Sequence, residues 1–164
     1  MALVDVDQTA RLPLGAGNIA FDEPPGDPGT LRLLVPSRAE ATVTWMLDTG
    51  LDEHRRPRNQ PLAHVTVGQN PNLLAVHRPP DGSALALVSC FGASEVVAVE
   101  LATFSLVAHI DVGEGPNEMA IDERRHWLLV ANTLDSTTSV IDLRPTSGQY
   151  LREFAVLGAR RDSR

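Results

Sequence analysis

Lysine is absent from this chain: all fourteen basic residues are arginine. The arginines are scattered, which reads as a compositional bias rather than a phosphate- or carboxylate-binding patch. Acids outweigh them, giving a formal net charge of −7. A nucleic-acid partner needs a basic face, so none is expected. Cysteine occurs once, at Cys90, which rules out an internal disulfide and leaves the redox compartment unreadable. No apolar run approaches the roughly 20 residues of a membrane-spanning helix. The opening MALVDVDQTARLPLG carries acids and lacks the basic start and apolar middle of a signal peptide. Catalytic signatures are missing too. There is no G-x-S-x-G, no P-loop, no paired-cysteine motif and no H-x-x-x-H or H-x-H pair. No stretch carries a 3.6-residue apolar stripe long enough for a helix.

What is present fits one soluble globular domain: 164 residues, 43% hydrophobic and 21% charged. Within it the chain repeats itself. HIDVGEGPNEMAIDERRHWLLVANT (109–133) shifted back by 45 positions superposes His109 on His64, Gly113 on Gly68, Pro116 on Pro71, Asn117 on Asn72 and Ala120 on Ala75. Each copy runs on into an apolar stretch, ALALVSC or HWLLVANT. A further copy starts at LPLGAGNIAFDE and continues through LRLLVPS, and Gly158 lies another 45 residues after Gly113. Periods of about 40–50 residues are those of propeller blades.

Inside each copy the pieces are short and rich in Val, Ile and Leu. In the last one they are EMAID (118–122), HWLLVAN (126–132), TTSVIDL (137–143) and YLREFAVLG (150–158). Gly, Pro, Asp, Asn and Ser punctuate them, so they read as strands joined in an antiparallel meander. PPDG at 79–82 reads as a tight turn with Gly82 at positive φ. Several strands are apolar on consecutive residues, which predicts sheets covered on both faces by neighbouring blades.

The phrases Val112-Gly113-Glu114-Gly115-Pro116, Leu129-Val130-Ala131-Asn132 and Ser139-Val140-Ile141-Asp142 resemble the YVTN-type β-propeller repeat of lactonase-like and WD40-like bacterial propellers. Val67-Gly68-Gln69-Asn70-Pro71, Leu87-Val88-Ser89-Cys90 and Val97-Ala98-Val99-Glu100 carry it in the preceding copy. The earliest copy departs from it at Pro36-Ser37. The resemblance covers roughly residues 3–158 and implies an all-β fold of four-stranded antiparallel blades. The count is about three and a half: a half blade over 1–15, then blades over 16–68, 69–113 and 114–158, with a frayed tail at 159–164. Relatives form closed rings of about seven blades, so this ring is incomplete. Two arrangements fit: a C-terminal portion of a larger propeller, or two chains that self-associate to close one ring.

Function is much less legible. Residues 15–18, 68–72 and 113–117 share one end of the ring with 89–95 and 131–137, beside the channel mouth where ligands usually approach. Asn72, Asn117 and Asn132 recur there with Glu114 close by, either as groups holding a polar ligand or as turn residues in which Asn tolerates the left-handed region. Of the five histidines, His77 follows an inner strand and is the best placed to bind. His64 and His109 share a packing or surface role. Asp22, Glu23, Asp122 and Glu123 read as turn acids at the far end, and Cys90 as a small buried side chain. The expectation is a non-catalytic module binding a protein or small polar ligand, with no cofactor, no metal site and no catalytic residue. The resemblance also implies an alternative, part of a lactonase-like hydrolase or propeller-based redox enzyme, though none of those motifs maps onto a residue here. Relatives of this kind are often exported, which implies a periplasmic or extracellular location.

Overall fold

The computed structural model describes residues 15–23, 32–39, 43–48, 51–55 and 60–158. Apart from Gly15, the half blade expected over 1–15 lies outside the described residues, and so does the tail at 159–164. Twelve strands are present among the described residues. They are β1 (Ala20–Asp22), β2 (Arg32–Ser37), β3 (Val43–Asp48), β4 (Gln60–Thr66), β5 (Pro71–His77), β6 (Leu85–Cys90), β7 (Glu95–Glu100), β8 (Ser105–Asp111), β9 (Pro116–Asp122), β10 (Trp127–Asn132), β11 (Thr137–Asp142) and β12 (Arg152–Leu157). None of the described residues is helical.

The strands form three four-stranded antiparallel meanders, β1–β4, β5–β8 and β9–β12, each paired in chain order. Their hairpins share one device. The four-residue turns at 91–94, 101–104, 123–126 and 133–136 each end on a left-handed residue: Ser94, Phe104, His126 and Ser136, with φ between 54° and 59°. None is glycine, so each turn accepts a backbone cost of about 1 kcal/mol that the strand pairing on either side outweighs. A register shift recurs between the third and fourth strand of every blade, at Met46/Leu47, Ala98/Val99 and Val140/Ile141. Such bulges increase local twist.

The sheets stack like blades around an axis. Inner strands β1, β5 and β9 are neighbours, and outer strands β4, β8 and β12 are neighbours on the other side. This is the β-propeller arrangement, with three blades among the described residues. The middle blade makes its logic plain. Along β6, Ala86, Val88 and Cys90 join one core with Leu34 of the first blade, while Leu85 and Leu87 join another with Leu128, Val130 and Ile141 of the third. β7 divides likewise, Val97 and Val99 to one side, Val96 and Ala98 to the other. Every residue of β6 is buried, and each Leu or Val so removed from water stabilises the fold by about 1.5–3 kcal/mol.

The third blade differs. Leu128, Val130 and Asn132 of β10 are buried against the middle blade, whereas Trp127, Leu129 and Ala131 on its other face are half-buried. Phe154 stacks beside Trp127 there with ring centroids 5.3 Å apart, and it is 41% exposed. Gly82 corrects an expectation: it is not among the left-handed glycines. A Cβ on it would come within 2.8 Å of Pro145 Cγ. Glycine is required there by the close approach of the third blade, not by the turn.

Candidate functional site

Two ends of the arc carry polar side chains. At the corner end, where inner strands begin, the Arg38 guanidinium donates to Asn72 Oδ1. Arginine can only donate, which fixes the amide orientation. Asn72 Nδ2 therefore faces the third blade and donates to Asn117 Oδ1 at 2.7 Å. The Asn72 carbonyl also accepts from Asn18 N at 2.9 Å. One hydrogen-bonded row thus crosses all three described blades. The left-handed turn residue of this corner is Asn70, at φ 52°; Asn72 and Asn117 lie in strands instead. Part of the hydrogen-bonding capacity of these amides thus holds blades together. Asn117 Nδ2 has no hydrogen-bond partner among the described residues.

Asn132 belongs to a separate, interior cluster. Its Nδ2 donates to Thr137 Oγ1 at 3.0 Å and Ser139 Oγ at 2.9 Å. Thr137 Oγ1 donates to Asp135 Oδ1 at 2.6 Å, and Glu114 N donates to Asp135 Oδ2 at 3.0 Å. Glu114 enters through its backbone while its side chain is exposed. A Cβ on Gly113 would sit 2.5 Å from Asn132 Nδ2, so only glycine lets this corner close over the turn. Asn132 is 1% exposed and does not reach the row made by Asn72 and Asn117.

His77 lies at the opposite end of β5. Five residue steps of about 3.3 Å separate it from Asn72, roughly 16 Å. It is fully buried, and neither ring nitrogen has a hydrogen bond of ordinary geometry among the described residues. Its Nδ1 is 3.5 Å from Glu123 Oε2. Its ring meets His126 edge-on at 5.7 Å between centroids, and His126 Nδ1 is likewise buried without a hydrogen-bond partner among the described residues. One ligand atom from each of His77, Glu123 and His126 lies within 4.8 Å of the others. Burial lowers the His77 pKa below the usual imidazole value; Glu123 opposes this and His126 adds to it. Burial thus favours the neutral ring, the form in which a nitrogen lone pair is available.

Local folding explains the convergence. His77 ends the inner strand of the second blade, and the 45-residue repeat sets Asp122 at the same place in the third. Asp122 is a turn acid as expected, accepting from Arg124 N at 3.0 Å and Arg125 N at 3.1 Å. Glu123 is not merely that, since its carboxylate faces His77. His126 closes the same turn at φ 54°, and its carbonyl accepts from Leu143 N at 2.8 Å. Beside it opens a cleft of about 210 Å³ lined by Pro79, Pro80, Asp81, His126, Arg144, Pro145 and Thr146. No local spacing in the sequence links Glu123 and His126 to His77.

The other candidates separate cleanly. Cys90 is buried, and that burial pushes its thiol up to about 12, which leaves no thiolate nucleophile at neutral pH. His64 and His109 are exposed, and His109 Nδ1 meets Glu95 Oε2 at 2.9 Å.

No protein-family model and no curated protein matches the chain. Solved structures do. Hydrazine synthase of Kuenenia stuttgartiensis matches over 97% of this chain and 40% of its own, with a TM-score of 0.65 and 17% identity. Dihydro-heme d1 dehydrogenase NirN, solved in complex with DHE, matches over 96% of this chain and 32% of its own, with a TM-score of 0.59 and 17% identity. Both are propeller proteins, and the likeness is one of fold. The chain spans well under half the length of either.

Proposed function

We propose that this chain is a non-catalytic β-propeller repeat module of the YVTN type, binding a protein or small polar ligand at the corner end of its inner strands. The observation that carries this reading is the row Arg38–Asn72–Asn117. The guanidinium charge polarises the Asn72 amide, and that amide in turn polarises Asn117. The Asn117 Nδ2 donor at the end of the row is thereby strengthened and has no described protein partner. It suits a ligand that offers an acceptor oxygen, such as a carboxylate or carbonyl.

The rival is part of a lactonase-like hydrolase or a propeller-based redox enzyme. What favours it is that both structural neighbours are enzymes by name. Against it stands the lack of an activated nucleophile among the described residues. A periplasmic or extracellular location belongs to the same proposal. So does self-association that closes the ring, for which the apolar outer face around Trp127 and Phe154 is suited.

A thermal-shift screen with carboxylate-bearing peptides and small hydroxy acids tests the binding reading. A raised melting temperature for the wild-type chain, lost in Asn117→Ala, is the expected result. Equal shifts in both proteins, or none in either, would contradict it. A haem-like absorption band in the purified protein would favour the enzyme instead.

A further inference from the structure

We propose that His77, Glu123 and His126 form a binding site for a divalent metal ion of zinc-like character, clamped between the second and third blades. The site is independent of the corner-end reading. It rests first on orphaned atoms. Among the described residues, neither nitrogen of the fully buried His77 nor the buried Nδ1 of His126 has a hydrogen bond of ordinary geometry, Glu123 Oε2 at 3.5 Å being the acid that His77 Nδ1 faces. Leaving a buried polar group unmatched forfeits its solvation without return. One such nitrogen on each ring, gathered with a carboxylate, marks a missing partner that accepts lone pairs from several directions.

A simpler arrangement has His77 Nδ1–H donating to Glu123. That would match His77 Nδ1 but leave His126 Nδ1 orphaned. A metal ion takes one nitrogen from each ring together with the carboxylate. Ligand atoms around a tetrahedral zinc are about 3.3 Å apart, as follows from bonds of about 2.0–2.1 Å. Here His77 Nδ1 and Glu123 Oε2 are already 3.5 Å apart, and all three ligand atoms lie within 4.8 Å. Glu123 is 62% exposed and has room to close the remaining gap.

The donor set selects the ion. Two imidazoles and one carboxylate suit zinc, cobalt or nickel, whereas calcium and magnesium want an all-oxygen shell. Three protein ligands leave a fourth position open. A cleft lined in part by His126 lies beside the site. Because His77 comes from one blade and the other two ligands from the next, the ion also cross-links them.

The test uses the full chain freed of metal by chelation, titrated calorimetrically with Zn²⁺ and spectroscopically with Co²⁺. One equivalent should bind, with visible Co²⁺ ligand-field bands of a low-coordinate site and a raised melting temperature. Glu123→Gln alters only an exposed side chain, and His126→Asn keeps a residue that tolerates the left-handed backbone. Each should weaken binding at least about tenfold, the low end of what even supporting residues of a metal site contribute, while melting like wild type in chelator. The absence of saturable uptake by the wild-type chain, or wild-type affinity in both variants, would overturn the site.

Discussion

Asp142 shows how much one side chain can hold in this fold. It is fully buried at the end of β11. It accepts from Arg144 Nε at 2.9 Å, from the second guanidinium nitrogen at 2.6 Å and from Ser147 Oγ at 2.7 Å. The Arg144 guanidinium holds its carboxyl well below the usual carboxylate range. A depressed folded-state pKa means that the stabilisation is complete above the unfolded value near 3.9 and is lost as pH falls through and below it. Asp142→Asn should therefore cost about 1–3 kcal/mol at pH 7. Urea unfolding at a series of pH values checks this: the gap between wild type and variant should narrow steadily from pH 5 down to 3. A gap independent of pH would mean that the carboxylate charge is not what Asp142 contributes. At this scale the sequence was informative where repeats reinforced each other, as with Asn72 and Asn117. It was uninformative where two blades meet, because Glu123 and His126 are 46 and 49 positions beyond His77. No local spacing rule spans that distance, and only the fold makes them neighbours.

At the scale of strands, β6 and β10 look alike on paper, each an unbroken apolar run. Only β6 is covered on both faces. The run Leu85–Ala86–Leu87–Val88 was correctly legible as a sheet sandwiched between neighbours. In Trp127–Leu128–Leu129–Val130 the same pattern leaves alternate residues half-buried. The hairpin turns were harder to read, because Ser94, Phe104, His126 and Ser136 carry no glycine to announce positive φ. Gly82 misled in the opposite direction, its role being contact with Pro145. Truncation of the two strands separates the environments. Leu87→Ala should cost about 2–5 kcal/mol, as fully buried leucines do, and Leu129→Ala clearly less. Chemical denaturation of both variants measures the difference. Equal costs would mean that the outer face of β10 is as fully packed as the interior of β6.

For the whole molecule, the claim that everything else depends on is that successive meanders stack face to face around one axis. Stability then comes from two apolar layers, one on each side of the middle blade, rather than from one continuous sheet. Methyl NOE spectroscopy on the full chain reads this directly. Val88 and Val97 should give contacts into the layer that holds Leu34, and Leu87 and Val96 into the layer that holds Leu128, Val130 and Ile141. Adjacent residues of one strand would thus report on different blades. Backbone NOEs pairing β4 with β5, or β8 with β9, together with loss of those methyl contacts, would contradict the stacked arrangement.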